Sequence, residues 1–160
     1  MVNLQELEQI LIKTGTEGYA TGGEDAFSEN PDTSKTYAYT FGKWISNDNY
    51  FGGEPFGGRW VISLDNQPVW MMVYYGGCNL GLDPKVQSEV IILLRQALAT
   101  KPEGVYHFRG PKLLEAGDFK YINNWSGDIE KYSGEEVIYQ GDQVVYKASY
   151  IGGLVDQVKD

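Results

Sequence analysis

The amino-acid sequence predicts an α+β domain: an antiparallel β-sheet built from two pseudo-repeats, each a helix plus a β-meander, with two helices packed on the sheet. Three observations lead there. The chain of 160 residues holds 20 Gly, 12 Tyr, 6 Phe and 4 Trp. Glycine above its norm of about 7%, together with many aromatic rings, is the composition of strands joined by tight turns. Two segments carry apolar residues at helical spacing, and the sequence matches itself.

The self-match relates Phe56 to Gly77 (FGGRWVISLDNQPVWMMVYYGG) to Tyr132 to Gly153 (YSGEEVIYQGDQVVYKASYIGG), without a gap, at an offset of 76, with eight of 22 positions identical. Gly58/Gly134, Val61/Val137, Ile62/Ile138, Tyr74/Tyr150 and Gly76/Gly152 are among them. The turn formers Asp65-Asn66 and Gly141-Asp142 fall at the same place. A lone helix-and-meander unit leaves its apolar sheet face uncovered. Two units, about 1–77 and 83–153, are therefore expected to pack as a pseudo-twofold pair in a single domain, 1–160.

In chain order, Leu4 to Lys13 reads as a helix. Asn3 is its N-cap, Glu6 stands where a capping box needs it, Leu4, Leu7, Ile10 and Leu11 form the apolar stripe, and Gly15 is the stop. Thr16 to Lys35 is polar and acidic and reads as a long loop. Tyr37 to Trp44 has a strand composition, Asn47-Asp48-Asn49 reads as a turn, and Phe51 to Gly58 as a glycine-rich connection. Arg59 to Leu64 and Pro68 to Tyr75 form a hairpin around Asp65-Asn66. The second helix spans Pro84 to Ala99, with Asp83 as N-cap and Pro84 as first residue. Val105 to Arg109, Phe119 to Asn123, Ile129 to Tyr132, Val137 to Gln140 and Gln143 to Ile151 are the remaining strand candidates, with Asn124 to Gly127 as a turn.

Composition also excludes function classes. The formal net charge is −9, and no run of Lys and Arg could hold a phosphate backbone or an anionic membrane, so neither direct nucleic-acid binding nor membrane binding is expected. One Cys and one His fall short of a tetrahedral zinc site and exclude an intrachain disulfide. Phosphate-binding loops, dinucleotide fingerprints and nucleophile elbows have no match, so no cofactor is expected. The first residues lack a basic stretch followed by an apolar one, and the expected location is the cytoplasm.

Candidate site residues come from alternation and from isolated polar groups. Strand periodicity places Trp70, Met72 and Tyr74 on one face, and the self-match places Tyr146, Ala148 and Tyr150 on the corresponding one. Trp70, Tyr74, Tyr146 and Tyr150 either line a cleft between the two units or simply pack in the core. Glu54 lies among glycines, where a ligand could approach closely. Arg109, in His107-Phe108-Arg109-Gly110-Pro111, could clamp a carboxylate or phosphate, or pair with an acid of its own chain. A Cys78–His107 nucleophile pair has no local motif behind it.

The order Tyr50-Phe51-Gly52-Gly53, Phe56-x-Gly58, Pro68-Val69-Trp70, Tyr74-Tyr75-Gly76, Arg109-Gly110-Pro111, Gly117-Asp118 with Tyr121, Gly134 with Glu136, and Tyr150-x-Gly152-Gly153 resembles an uncharacterised family of bacterial domains of unknown function. Its members stand alone or behind an XRE-type helix-turn-helix, which implies a sensor or effector role. It supplies no catalytic residues to carry over. Arg59-Trp60 stands where a Gly-Glu pair is more usual, so any duty of that Glu would pass to Glu54 or Glu136. The expected function is a non-enzymatic domain that binds a small molecule or peptide. A carboxylate-dependent hydrolase or isomerase, and an interaction module forming a homodimer, are the alternatives.

Overall fold

A computed structural model describes residues 2–17, 27–100 and 109–155. The elements run α1 (Leu4–Glu17), β1 (Ser28–Glu29), β2 (Lys35–Phe41), β3 (Trp44–Gly52), β4 (Phe56–Leu64), β5 (Gln67–Cys78), α2 (Pro84–Ala99), β6 (Leu113–Ala116), β7 (Phe119–Asp128), β8 (Lys131–Gln140) and β9 (Gln143–Leu154). All described strands join one sheet, in the order β1-β2-β3-β4-β5-β9-β8-β7-β6. Every neighbouring pair is antiparallel. β2 to β5 form one meander and β6 to β9 another, and the two meet where β5 pairs with β9.

Local chemistry accounts for the elements. Asn3 Oδ1 accepts from the backbone N–H of Gln5 at 3.0 Å and of Glu6 at 3.4 Å, which satisfies two donors that a helix start leaves open. The helix runs through Gly15 to Glu17, two residues past the expected stop. Asp83 caps α2 by accepting from Lys85 N at 2.8 Å, ahead of Pro84. The β4–β5 hairpin turns on Asp65 (φ 50°) and Asn66 (φ 64°), two left-handed residues in succession, which is the turn that matches sheet twist.

β5 and β9 begin and end at residues 76 apart, and the irregularities in β4–β5 and β8–β9 pairing fall at Ile62/Ser63 and Ile138/Tyr139, again 76 apart. Across the central joint Tyr74 stands opposite Tyr150, and Cys78 opposite Tyr146.

Both helices cover one face. Leu7 and Leu11 of α1 pack into a cluster with Trp44, Trp60, Ile62, Trp70 and Met72. Val90, Leu93, Leu94 and Ala97 of α2 pack with Phe119, Tyr121, Ile138 and Tyr146. The other face is open, with Val73, Tyr75 and Ile151 exposed at its centre. A one-sided antiparallel sheet needs only this alternation.

Two expected turns are strand instead. Asn47-Asp48-Asn49 lies within β3 and Asn124 to Gly127 within β7. Asn49 Nδ2 bonds Ser34 Oγ and Thr36 Oγ1 at 2.9 Å each, so a residue read as a turn former serves as a tie to the neighbouring strand and its entry. The expected loop up to Lys35 contains β1, and Ile129 turns rather than starting a strand. Of the candidate strand Val105 to Arg109, residues 105–108, His107 among them, lie outside the described residues.

The central joint is closely packed. A Cβ on Gly76 would strike the side chain and backbone of Ala148, its partner on β9, whereas one on Gly53 would meet nothing within 4 Å. Gly76→Ala should therefore cost about 2–3 kcal/mol by overpacking, and Gly53→Ala should be close to neutral. Urea unfolding of the two variants checks the contrast.

Candidate functional site

The two opposed phenols, Tyr74 and Tyr150, reach outward from the joint along opposite arms of the sheet. Each crosses the strand beside it at a glycine: Tyr74 faces Gly58 on β4 and Tyr150 faces Gly134 on β8. A Cβ at either position would collide with the phenol. Passing over the glycine, Tyr74 donates to Asp48 Oδ1 on β3 at 2.6 Å. Tyr150 donates to Asn123 Oδ1 on β7 at 2.7 Å.

A buried polar chain connects these ends. Asn123 Nδ2 donates to Gly110 O at 2.9 Å, and Gly110 N donates to Tyr121 OH at 3.1 Å. Tyr121 OH donates to Glu136 Oε1 at 2.5 Å. Arg109 donates from Nε and from Nη2 to Glu136 Oε2, both at 2.9 Å. The Arg109 guanidinium lies 5.2 Å from the centre of the Tyr74 ring, within cation–π range. Glu136 is fully buried, Asn123 nearly so, and Arg109 is 9% exposed.

Burial sets the electrostatics. It raises the Asp48 carboxyl to about 6, against the opposing pull of the Tyr74 hydrogen bond and the nearby Arg109 charge. Burial and the adjoining acids hold the Tyr74, Tyr121 and Tyr150 phenols above their ordinary range, so they act as neutral donors near pH 7. For Arg109, burial works against the charge, but Glu136 outweighs it and the guanidinium stays protonated. The arrangement offers fixed donors, one compensated ion pair, and one carboxyl whose charge changes near neutral pH.

Of the residues singled out in the sequence, Tyr74, Tyr150 and Arg109 come together here. Trp70 is fully buried under α1, stacked on Tyr132 at 5.9 Å, and donates from Nε1 to Ile129 O at 3.1 Å. Tyr146 is fully buried in the cluster beneath α2, stacked on Phe56 at 6.4 Å. Glu54 is engaged elsewhere: its Oε2 accepts from Cys78 N at 2.5 Å, which ties the β3–β4 connection to the end of β5. Burial and Glu54 push the Cys78 thiol up to about 12, the opposite of what a nucleophile needs. Asp48, Tyr121, Asn123 and Glu136 are the members that sequence reasoning did not place in a site. Alternation along Trp44, Ser46, Asp48 and Tyr50 was the signal that could have turned Asp48 inward.

Fold and site together define a one-sided antiparallel α+β domain with a buried Arg–Glu–Tyr cluster at its centre. The chain belongs to the family described as Domain of unknown function (DUF5680), whose model matches residues 48–155. That span takes in Asp48, Tyr74, Arg109, Glu136 and Tyr150. No curated protein and no solved structure matches the chain. Among the described residues, no three His, Cys, Asp or Glu side chains gather as a metal site, and no helix is long and apolar enough to cross a membrane.

Two measurements test the electrostatics. Glu136→Gln leaves Arg109 buried without its counter-charge and should cost about 3 kcal/mol or more, whereas Arg109→Met combined with Glu136→Leu should cost less than the single change; denaturant unfolding of both reads the difference. For Asp48, the folded carboxyl keeps its proton to about pH 6, while the unfolded one loses it near the ordinary carboxylate value of 3.8. Stability linked to this proton is thus present at low pH and lost as pH rises through that window. The stability of Asp48→Asn relative to the parent chain should therefore increase from pH 4 to pH 6.5, by up to roughly 3 kcal/mol, and then level off.

Proposed function

We propose that this chain is a non-enzymatic ligand-binding domain of sensor type, one domain over residues 1–160, that holds a small molecule or peptide over the inner face of the sheet. The contacts are drawn from Tyr74, Tyr150, Arg109 and the acids that meet them. One observation carries this reading. A set of charged and hydrogen-bonding groups is buried at the centre of an aromatic core, where apolar residues of the same size would give equal or better stability. Such groups are the usual means of orienting a ligand in an apolar pocket.

We further read the sheet as two copies of one helix-plus-meander unit. The self-match at offset 76, the strand bounds and pairing irregularities at the same offset, and Tyr74 opposite its counterpart Tyr150 support this, since a pseudo-twofold axis between these two tyrosines would relate the copies. The setting is a bacterial cytoplasm, in association with transcription regulators, as the resemblance to domains behind XRE-type helix-turn-helix segments implies. A second reading, a carboxylate-dependent hydrolase or isomerase, is favoured by the Asp48 carboxyl at about 6, the range a general acid–base group needs. A third, a homodimeric interaction module, draws on Val73, Tyr75 and Ile151 exposed together on the open face.

A thermal-shift screen against metabolites of every charge class tests the leading reading. At least one class should raise Tm, and the rise should vanish in Tyr74→Phe combined with Tyr150→Phe, which keeps the rings and removes both hydroxyls. A flat screen on the parent chain would overturn the proposal. Turnover of a hit would shift the assignment to the enzyme.

A further inference from the structure

Beyond this reading, and resting on it, we infer that the site takes a protonated amine, with Asp48 as its counter-ion and aromatic rings as its walls. The charge count comes first. Asp48, Glu136 and Arg109 share one electrostatic neighbourhood, and the guanidinium is committed to Glu136. Among the described residues that meet there, two carboxylates and one cation leave a single negative charge over. Asp48 Oδ1 holds the Tyr74 hydroxyl, while no described residue brings a hydrogen bond or ion pair to Oδ2. A carboxylate in a low-dielectric site either takes up a proton or finds a cation.

The surroundings fit an ammonium group. On the inner face, the strand neighbours of Asp48 are Tyr37 on β2 and Trp60 on β4. Tyr37 is stacked on Tyr50 at 6.2 Å, and Phe27 meets it edge-on at 5.9 Å. Tyr37 and Trp60 thus flank the acid across the sheet, and Tyr74 bonds it. Rings of this group already take cations: Lys35 Nζ lies 4.7 Å from the Phe27 ring centre, and Arg109 5.2 Å from that of Tyr74. Lys35 sits on Phe27 and makes no ion pair with Asp48. Asp48 itself is only half-buried, although loss of solvent is the main influence on its carboxyl. Asp48 thus keeps partial access to solvent and is not sealed in the core. A carboxylate set among aromatic faces recognises organic cations through a charge-assisted hydrogen bond together with cation–π attraction.

The experiment uses the intact chain at pH 7.5 and 150 mM NaCl, with putrescine, agmatine and cadaverine as cations and with 1,4-butanediol and succinate as neutral and anionic counterparts. At a hundredfold excess over its Kd, a bound amine should raise Tm by roughly 5 °C or more. The neutral and anionic compounds should not raise it. The shift should disappear in Asp48→Asn, whose amide oxygen still accepts the Tyr74 hydroxyl and so preserves the fold, and it should weaken below pH 6 in the parent chain. Equal shifts in the parent and in Asp48→Asn would mean diffuse attraction to an acidic protein and would overturn the assignment. So would a set of amines that leaves Tm unmoved. A hit confined to neutral or anionic compounds in the wider screen would also overturn the amine while leaving the binding reading intact, whereas silence in both screens removes the two together.

Discussion

The antiparallel joint between β5 and β9 is the constraint on which the rest depends. Among the described strands it is the place where the two meanders pair edge to edge, and it sets Tyr74 against Tyr150. From that register each phenol crosses a glycine and reaches the third strand along its own arm. A slip of β5 by one residue would turn Tyr74 to the open face and leave Asp48 without its donor, and the same slip of β9 would do this to Tyr150 and Asn123. Gly76 against Ala148 fixes the same register sterically. The backbone ladder, the close glycine contact and the two hydroxyls thus agree on a single alignment.

The Arg109–Glu136 pair needs a different explanation, because burying two charges costs several kcal/mol per ion before their attraction returns anything. Its geometry recovers part of that cost: Glu136 accepts two donors on one oxygen and the Tyr121 hydroxyl on the other. The pair also holds a loop. Arg109, Gly110 and Pro111 are buried, and Tyr121 and Asn123 bind the Gly110 backbone from either side. An irregular segment drawn onto the inner face in this way has its backbone groups satisfied by side chains, which is the condition for burying a loop.

Much of the architecture was legible in the sequence, for reasons tied to local chemistry. Asp83 and Pro84 mark the start of α2, and Asp65-Asn66 mark the hairpin, because caps and left-handed turns demand particular residue types. The site was legible only in part. Tyr74 and Tyr150 stood out by type and by position in the self-match, and Arg109 as the cation of His107-Phe108-Arg109-Gly110-Pro111. Asp48 did not, because Asn-Asp-Asn favours turns locally, and its partner Tyr74 comes 26 residues later in the chain. Glu136 appeared among the residues of the family resemblance, yet only the sheet register brings it to Tyr121 and Arg109. Glu54 drew attention for its glycine neighbours, but the glycine that lets it approach the end of β5 is Gly77, and there Glu54 ties down a backbone N–H.

The two halves of the sheet also differ in a way that locates the chemistry. Trp60 and Glu136 stand 76 residues apart, on β4 and β8, and face Asp48 and Asn123 across their respective ladders. In the first half the indole donates to Ser46 Oγ at 2.8 Å, a neutral pair suited to a core. In the second half the carboxylate gathers Tyr121 and Arg109. Asp48 carries the acid of the first half and Asn123 is the neutral amide of the second, so each arm holds one carboxylate, at a different depth. The carboxylate of the second arm is compensated and fully buried. That of the first arm is half-buried, accepts the Tyr74 hydroxyl on Oδ1, and is raised by burial to about 6. Two arms of matching geometry therefore differ: one anchors the Arg109 loop, and the other holds an acid that keeps partial access to solvent.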